Sequence, residues 1–257
     1  MKRGEYDVMA AAEDRLWWYR GLRRLVVRSL TQFLPAGASP RIVDVGCGTG
    51  GTFQAVSEAL PGTTYVGFDI EPAALDYSRR RGLRRGVLAS ASALPMRAES
   101  AEAVICLDVL YYSAIEPRTA LKTLFSLLRP GGILLVNLPA FEILRGQHDL
   151  AVGISRRFRR RELCELCEEV GFHVRFVTYW NASAFLPLLA WRRLSRIARS
   201  EHAVSDTARS PWWLNGVLGG FIMLEIGLLR WIPPPFGSSV FAVASRPVSG
   251  APEERPL

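Results

Sequence analysis

The sequence predicts a doubly wound α/β fold built on a seven-stranded, mostly parallel sheet. Short apolar segments with strand character alternate with segments whose apolar residues recur at helical spacing. A glycine-dense turn at residues 46–51 separates the first of these strands from the helix that follows it. The chain has 257 residues, of which 49% are hydrophobic and 22% charged, and this suffices for one large core. We therefore expect one α/β domain with additions at its edges.

The first 40 residues are expected to form an N-terminal helical lid. Apolar side chains at helical spacing, with arginines between them, predict one helix over residues 9–34. Proline and glycine in residues 35–40 end this helix and lead into the first strand. The aromatic residues Trp17, Trp18 and Tyr19 could cover a ligand or fasten the helix to the core, and the sequence favours neither.

Residues 41–181 are expected to form the α/β core. The predicted strands of the core are residues 41–45, 64–69, 86–88, 103–107, 133–138 and 173–179. The predicted helices between them are residues 52–60, 71–81, 115–128 and 161–170. Because a helix follows most of these strands, neighbouring strands are expected to run parallel and to be joined by helical crossovers.

An apolar, tryptophan-rich stretch at residues 182–237 predicts a helical insertion before the last strand, which lies in residues 238–246. The charge of Glu225 makes a bilayer span costly. A helix lying in a membrane interface, or one that roofs an apolar pocket, is therefore favoured, and an ordinary core-covering insertion is the alternative. Residues 247–257 are expected to form a disordered tail.

The net charge of +8 comes almost entirely from arginine and favours anionic surroundings, such as a lipid surface or a phosphorylated small molecule. No nucleic-acid-binding module is recognisable, so a nucleic acid is not the expected partner. The densest basic run, residues 156–161, is expected to be a solvated helix start or a phosphate contact.

The four cysteines do not form a disulfide framework in a chain of this size. Cys164 and Cys167 have CxxC spacing, but no second pair or nearby histidine completes a zinc site, so they are expected to be core or flank residues. A polar N-terminus without a signal peptide favours a cytoplasmic location, with peripheral attachment to the inner membrane face as a variant of it.

The glycine-dense turn has the spacing of a nucleotide-binding corner. Gly46, Gly48 and Gly51 satisfy GxGxxG, and Asp69 ends the second strand, roughly where a dinucleotide fold keeps its ribose-binding acid. Taken alone, this pattern would suit a nicotinamide or flavin enzyme. Asp44 argues against it, because a carboxylate two residues before the first glycine would repel a pyrophosphate at short range. The same carboxylate suits a ligand that carries an ammonium group and no phosphate.

Residues 44–50, Asp-Val-Gly-Cys-Gly-Thr-Gly, resemble the signature of class I S-adenosylmethionine (SAM)-dependent methyltransferases. Further motifs follow in that family's order at residues 94–95, 107–110 and 128–132, so the resemblance covers about residues 41–140. It implies a Rossmann-like fold and SAM as cofactor. The residues expected to bind the cofactor are Asp44, Gly46, Cys47, Gly48, Gly50, Asp69, Ile70, Ser90, Ala91 and Leu107.

Two departures from the family pattern affect the expected site. Ser90 stands where the family often has an acid beside the adenine amino group, which predicts weaker adenine discrimination. Tyr111 and Tyr112 stand where many relatives carry Glu-His, so no role of that histidine can be transferred. Tyr112 is expected to shape the acceptor pocket, with core packing as the alternative.

The segment after the fifth strand is the expected source of acceptor-side residues, since its carboxyl end opens onto the ligand crevice. Of the three histidines only His148 follows such a strand, which makes it the candidate general base, and Asp149 could orient or charge it. A loop histidine that caps a helix or packs on the lid is the alternative.

Residues 148–162 also resemble a bacterial methyltransferase subgroup that acts on small molecules or lipids. Gly153, Arg156, Arg157 and Phe158 match that subgroup's pattern, whereas Ile154 replaces a histidine.

The resulting prediction is methyl transfer from SAM to a small or lipophilic acceptor, with oxygen as the expected acceptor atom. Catalysis is expected to come mainly from holding the reacting atoms in line. The alternatives are an NAD(P)-dependent oxidoreductase and a non-catalytic membrane-associated binding protein.

Overall fold

The computed structural model describes residues 3–37, 39–197, 212–229 and 231–248. Its seven strands are β1 (Arg41–Val45), β2 (Thr64–Asp69), β3 (Gly86–Leu88), β4 (Ala101–Leu107), β5 (Leu128–Pro139), β6 (His173–Trp180) and β7 (Ser239–Ser245). Its helices are α1 (Arg3–Ala12), α2 (Trp17–Phe33), α3 (Gly51–Ala59), α4 (Pro72–Arg80), α5 (Pro117–Leu127), α6 (Gln147–Val152), α7 (Arg160–Val170), α8 (Phe185–Ile197) and α9 (Trp212–Leu228). A short 3-10 helix covers Glu142–Leu144.

The strands form one sheet in the order β3-β2-β1-β4-β5-β7-β6. The pairs among β1 to β5 are parallel, while β7 is antiparallel to both β5 and β6. The predicted seven-stranded, mostly parallel sheet is therefore confirmed. Because the carboxyl ends of β1, β2, β4 and β5 meet at one edge, the segments that follow these strands surround a common crevice.

The central strands are hydrophobic almost without interruption because both faces of the sheet are covered. Val43, Val104 and Leu134 belong to the buried cluster on one face, and Ile42 and Ile105 belong to the cluster on the other. Side chains of α5 and α7 contribute to the first cluster, and side chains of α2 and α9 contribute to the second. The crevice therefore lies at the edge of a rigid, two-layered core.

The prediction of a single N-terminal helix is wrong, because the chain turns between α1 and α2. Leu16 has extended backbone angles (φ −74°, ψ 127°), which interrupt the helical hydrogen bonding. Glu13, in the same turn, is buried, and its carboxylate lies 2.8 Å from the guanidinium of Arg81. This contact holds the turn against the glycine-rich corner, so that α1 lies over the crevice instead of continuing the axis of α2.

Two further differences concern the segments on either side of β5. Leu128 pairs with Ala101 and Ile133 pairs with Ala103, so residues 129–132, which separate the predicted helix from the predicted fifth strand, lie inside β5 as an irregularity. The predicted acceptor-side loop contains the 3-10 helix and α6, neither of which the sequence pattern indicated.

The apolar insertion forms α8 and α9, which confirms its helical character. Helix α9 packs on α2, where the side chain of Ile222 fills the space over Gly21. Glu225 does not face solvent freely, since its carboxylate accepts hydrogen bonds from the backbone N–H groups of Ala182 and Ser183.

No helix within the described ranges is both long and apolar enough to cross a bilayer. The predicted disordered tail falls mostly outside the described residues, as do residues 198–211 and Arg230.

Candidate active site

A cavity of about 560 Å³ opens at the carboxyl edge of the sheet, between the glycine turn, α1, α2 and α8. It brings together most of the residues that sequence reasoning selected. The predicted site residues in its wall are Asp44, Gly46, Cys47, Gly48, Asp69, Ile70, Ser90, Ala91, Leu107 and Tyr112. Gly50 and Asp149 are not part of this wall, and the side chain of His148 lies outside the described residues.

The glycines of the turn are required by its backbone and by its neighbours. Gly46 has φ +81°, and a Cβ atom there would come within 2.2 Å of a methyl carbon of Val109. Gly50 has φ +88°, and a Cβ atom there would lie 2.9 Å from the backbone of Ser78. Side chains other than glycine are strained in this left-handed region. Gly50 therefore closes the turn before α3 without touching the cavity itself.

Asp69 presents a fixed carboxylate to the cavity from the end of β2. One oxygen accepts a hydrogen bond from the backbone N–H of Gly48 at 2.9 Å, and the other accepts from the N–H of Glu71 at 3.0 Å. Burial raises the pKa of this carboxyl group, and the two N–H donors oppose that rise. Since a carboxylate has about four lone-pair positions, it can still accept from hydroxyl groups of a ligand.

Asp44, on β1, is the more deeply buried of the two acids. The hydroxyl of Tyr65 donates to its Oδ2 atom at 2.6 Å, and 2% of the residue is exposed. Burial, together with the nearby charge of Asp69, raises the pKa of Asp44 to about 7, while the hydrogen bond from Tyr65 acts in the opposite direction. A cationic ligand group in the cavity would offset this cost and favour the ionised carboxylate.

Helix α1, most of which precedes the predicted helix of residues 9–34, adds a wall to the cavity. Tyr6, Met9 and Glu13 line the cavity opposite the glycine turn. The turn that follows α1 is held in place by Arg81, whose guanidinium lies 2.9 Å from the carboxylate of Asp14 and also pairs with Glu13. These partners are 67 residues or more apart in the chain, so no local pattern signals the contact.

The aromatic cluster in α2 serves both functions that the sequence left open. Trp17, Trp18 and Tyr19 all line the cavity. The ring of Trp18 also stacks on that of Trp180 at the end of β6, with 5.9 Å between the ring centres. The cluster therefore fastens α2 to the sheet and covers the cavity.

Sequence reasoning missed a third acid, Asp108, directly after β4. It lines the cavity and has a left-handed backbone conformation (φ +58°). Both carboxylate oxygens accept from the side-chain amide of Asn137, at 3.1 and 3.0 Å. The amide oxygen of Asn137 accepts from the indole N–H of Trp180 at 2.7 Å. Its place at the carboxyl end of a central strand was the signal that could have identified it.

Asp149, the expected partner of His148, forms ion pairs with arginines. Asp149 is fully buried, and its two oxygens accept from the guanidinium of Arg157 at 2.6 and 2.8 Å. Arg192, on α8, lies 3.3 Å from the same carboxylate, and both arginines line the cavity. Arg157 is thus not part of a solvated helix start, in contrast to Arg161, which is exposed and pairs with Glu165. Its charge is neutralised by a bidentate ion pair.

A second set of lining residues, beside Arg157 and Arg192, is aromatic or apolar. The ring centres of Tyr111 and Tyr112 are 4.6 Å apart. The same set includes Val152, Ile154 and Leu188. The isoleucine that replaces the subgroup's histidine therefore enlarges an apolar surface.

Comparison with known proteins agrees with this geometry. Residues 43–136 match the family model described as a methyltransferase domain. The trans-aconitate 2-methyltransferase of Deinococcus radiodurans is 30% identical over 191 residues, covering 70% of this chain and 66% of that protein. The enzyme of the same name from Methylobacterium radiotolerans is 34% identical over 102 residues, which is 39% of either chain. The chain thus spans about two fifths to two thirds of these curated relatives.

Solved structures show the same fold at low sequence identity. The protein solved with the Haloferax volcanii Trm112 methyltransferase activator has a TM-score of 0.60 at 18% identity, covering 97% of this chain and 99% of that one. Haemonchus contortus phosphoethanolamine N-methyltransferase 2, solved with SAM, has a TM-score of 0.58 at 17% identity, covering 90% of this chain and 53% of that one. Neither alternative from the sequence, an oxidoreductase or a non-catalytic membrane protein, gains support.

The cavity fits the cofactor of these enzymes. Its glycine turn leaves backbone exposed, and the fixed oxygens of Asp69 can accept from a ribose diol. Asp44 supplies a buried carboxyl group that a cation would stabilise in its charged form. With the predicted sheet, the motif order and the family match in agreement, the chain belongs to the class I SAM-dependent methyltransferases.

Proposed function

We propose that the protein transfers a methyl group from SAM to a small or lipophilic acceptor, with oxygen as the acceptor atom. The observation that carries this proposal is a single cavity with two chemically different halves. Asp44, Asp69 and the glycine turn form a polar half, and the tyrosines with Val152 and Ile154 form an apolar half. When bound, SAM supplies a methyl group on a sulfonium, which is already activated for displacement.

The protein's own contribution is positioning and exclusion of water. Asp44 holds the ammonium end of the cofactor and Asp69 holds the ribose hydroxyls. Ile70, Ser90 and Ala91 form the adenine side, and Ser90 contributes a hydroxyl where relatives use an acid. Helix α1 and the aromatic cluster of α2 close the cavity from above, so that the acceptor meets the methyl group in a largely dry environment.

Cofactor binding tests the proposal first. Isothermal titration should show binding of S-adenosylhomocysteine, and NADH fluorescence should stay unchanged on mixing with the protein. Quenching of NADH together with no binding of S-adenosylhomocysteine would contradict the proposal. Trans-aconitate, the compound in the names of the two curated relatives, is the first defined acceptor to assay with methyl-labelled SAM. The apolar wall leads us to expect little label on it.

His148 remains a proposed general base for a hydroxyl acceptor, with Tyr112 shaping the acceptor's position. The ion pairs of Asp149 suggest that this acid supports His148 by fixing the fold of α6 instead of by charging the imidazole. The variant His148→Ala should lower the rate of methyl transfer without changing cofactor affinity. Near-normal turnover with the true acceptor would remove His148 from the mechanism.

We also propose that the protein works at an anionic lipid surface, from the chemistry of α9. Val217, Phe221, Leu224 and Leu228 are all 42% exposed or more and fall on one stripe of the helix. Helix α9 is about 25 Å long, and its one acid, Glu225, is turned toward backbone N–H groups. Exposed apolar surface of this extent marks an interaction site.

The charges around this stripe favour lipid as the occupant. Arg20 and Arg24 are exposed on α2, the helix on which α9 packs, and the whole chain carries a net charge of +8. An apolar stripe with exposed arginines on the neighbouring helix suits the boundary between acyl chains and anionic headgroups.

Flotation with vesicles tests the lipid proposal. The protein should bind vesicles that contain phosphatidylglycerol and bind vesicles of pure phosphatidylcholine weakly. The double variant Phe221→Glu, Leu224→Glu should lose binding. Lys122→Glu on α5 is the matched control, because it also changes the net charge by two units but leaves α9 intact. An equal loss of vesicle binding in both variants would indicate charge attraction alone. A dimer that forms with rising protein concentration, without vesicle binding, would indicate that a second copy of the chain covers the stripe on α9.

A further inference from the structure

The acid at residue 108 lines the cavity and lies outside the glycine turn and the two acids assigned to the cofactor. Asp108 follows β4, the central strand next to β1, and its neighbours Leu107 and Val109 also line the cavity. Its backbone is held in the left-handed region by a hydrogen bond from its N–H to the carbonyl of Asn137, at 2.8 Å. Aspartate tolerates this conformation better than most residues, but it still costs free energy.

The side chain of Asp108 is oriented by a chain of two hydrogen-bonded groups. An indole N–H can only donate, so the bond from Trp180 fixes the oxygen side of the Asn137 amide. The amide NH₂ group must then point toward the carboxyl group of Asp108, as the two distances of about 3 Å show. Asn137 is fully buried, so this arrangement is rigid.

The charges around Asp108 leave it able to exchange a proton near neutral pH. Burial raises the pKa of Asp108 to about 7, while the Asn137 amide and the charge of Arg157 act in the opposite direction. The other titratable groups that face it are Tyr111, Tyr112 and Cys106, whose own pKa values are raised by burial. Arg157 is already bound by Asp149, so Asp108 is not committed to an ion pair.

We propose that Asp108 accepts the proton of the acceptor during methyl transfer, and that the acceptor is therefore a hydroxyl or an amine and not a carboxylate. This inference rests on the proposed methyltransferase function and names the acceptor class for the same cavity. A carboxylate acceptor has no proton to lose at neutral pH and would be repelled by ionised Asp108.

The step balances without a further reactant. A lone pair on the acceptor oxygen or nitrogen forms the new bond to the methyl carbon while the carbon–sulfur bond breaks and its electrons stay on sulfur. The proton of the acceptor passes to the carboxylate of Asp108, directly or through one water molecule. Asp108 then returns this proton to solvent when the cavity opens.

The first experiment separates the cofactor role from the acceptor role. Asp108→Asn is the variant of choice, because asparagine also tolerates a left-handed backbone and its carbonyl oxygen can accept from Asn137. Titration calorimetry with S-adenosylhomocysteine should give a dissociation constant within about twofold of the unsubstituted protein. A loss of affinity of tenfold or more would place Asp108 in the cofactor site and overturn the inference.

The second experiment uses methyl-tritiated SAM with a small-molecule and lipid extract of the expressing cells. Label transferred by the unsubstituted protein should resist mild alkali, as methyl ethers and methylamines do. Label released as volatile methanol would indicate a methyl ester and overturn the inference. Asp108→Asn should lower the rate of transfer by about 100-fold or more, and the rise of the rate with pH around 7 should disappear. His148→Ala should keep that rise, because this inference gives the proton to Asp108 in place of His148. A rise that is lost in His148→Ala and kept in Asp108→Asn would assign the proton to His148 and overturn the inference.

The outcomes distinguish the two proposals. If the unsubstituted protein binds S-adenosylhomocysteine but labels nothing at any pH, methyl transfer itself is contradicted, and the role of Asp108 with it. If the protein labels the extract and Asp108→Asn labels it equally fast with the same pH profile, only the role of Asp108 is contradicted.

Discussion

At the scale of single residues, three acids in the cavity wall have separate proposed roles. All three line the cavity, and we propose that Asp44 and Asp69 bind the cofactor while Asp108 takes the proton of the acceptor. Each is oriented by a different partner: the Tyr65 hydroxyl for Asp44, two backbone N–H groups for Asp69, and the Asn137 amide for Asp108. Burial raises the pKa of all three, so each can respond to the charge of what binds.

Replacing Asp44 should weaken cofactor binding and remove a linked proton. Near pH 6 the carboxyl group is largely protonated, since its pKa is about 7. An ammonium group that binds beside it favours the ionised form, so binding should release a proton and tighten as the pH rises toward about 7. Asp44→Asn should lower the affinity for S-adenosylhomocysteine by roughly 10- to 100-fold, the range of one charged hydrogen bond.

Calorimetry in two buffers with different ionisation enthalpies measures this proton release. Asp44→Asn should show none, while Asp108→Asn should keep it. An unchanged affinity in Asp44→Asn would contradict the assignment of Asp44 to the ammonium group.

The stability of Asp108→Asn relative to the unsubstituted protein should increase as the pH rises. The folded-state pKa of Asp108, about 7, lies above its ordinary value of 3.8. Between these values the folded protein binds more protons than the unfolded chain, so the carboxyl group lowers stability progressively through this window. Asparagine does not titrate. The difference in melting temperature between variant and parent should therefore increase from about pH 4 to about pH 8. A difference that is constant with pH would show that the carboxyl group is already ionised at acid pH.

At the scale of elements, a buried ion pair joins α6 to the segment that precedes α7, and the basic run of residues 156–161 gives no sign of it. Asp149 on α6 binds Arg157, which also donates to the carbonyl of Ala140 just after β5 at 2.9 Å. The pair therefore ties the segment after β5 to the start of α7. Nothing in the run of residues 156–161 indicates which of its arginines is buried, because that depends on where α6 places its acid.

Asp149→Asn should destabilise the protein by about 3–5 kcal/mol, because it leaves the guanidinium of Arg157 buried without its counter-charge. Urea unfolding measures this. The matched control is Glu165→Gln, which removes an exposed partner of Arg161 and should cost at most about 1 kcal/mol. The double variant Asp149→Asn, Arg157→Met should recover much of the loss. Equal, small costs for both single variants would contradict the structural role of the buried pair.

At the scale of the whole molecule, one sheet edge gathers segments from both ends of the chain. Helix α1 comes from the N-terminus and α8 from the insertion before β7, and both reach the cavity wall. The described side chains of α9 do not line the cavity, and the helix packs on α2 with its apolar stripe outward. Helix α2 lines the cavity and also packs on α9, so it connects the cavity with the surface proposed for lipid.

The sequence by itself determined the sheet, its direction and the cofactor corner. These features depend on residues close together in the chain: apolar runs of strand length, glycines at positive φ, and Asp44 and Asp69 at the ends of their strands. Tertiary structure alone decided which side chains meet across long separations. Glu13 meets Arg81, Asn137 joins Asp108 to Trp180, and Glu225 meets the backbone of Ala182. Local spacing encodes periodicity and turns, whereas burial, ion pairing and raised pKa values arise only once the packed core removes these groups from water.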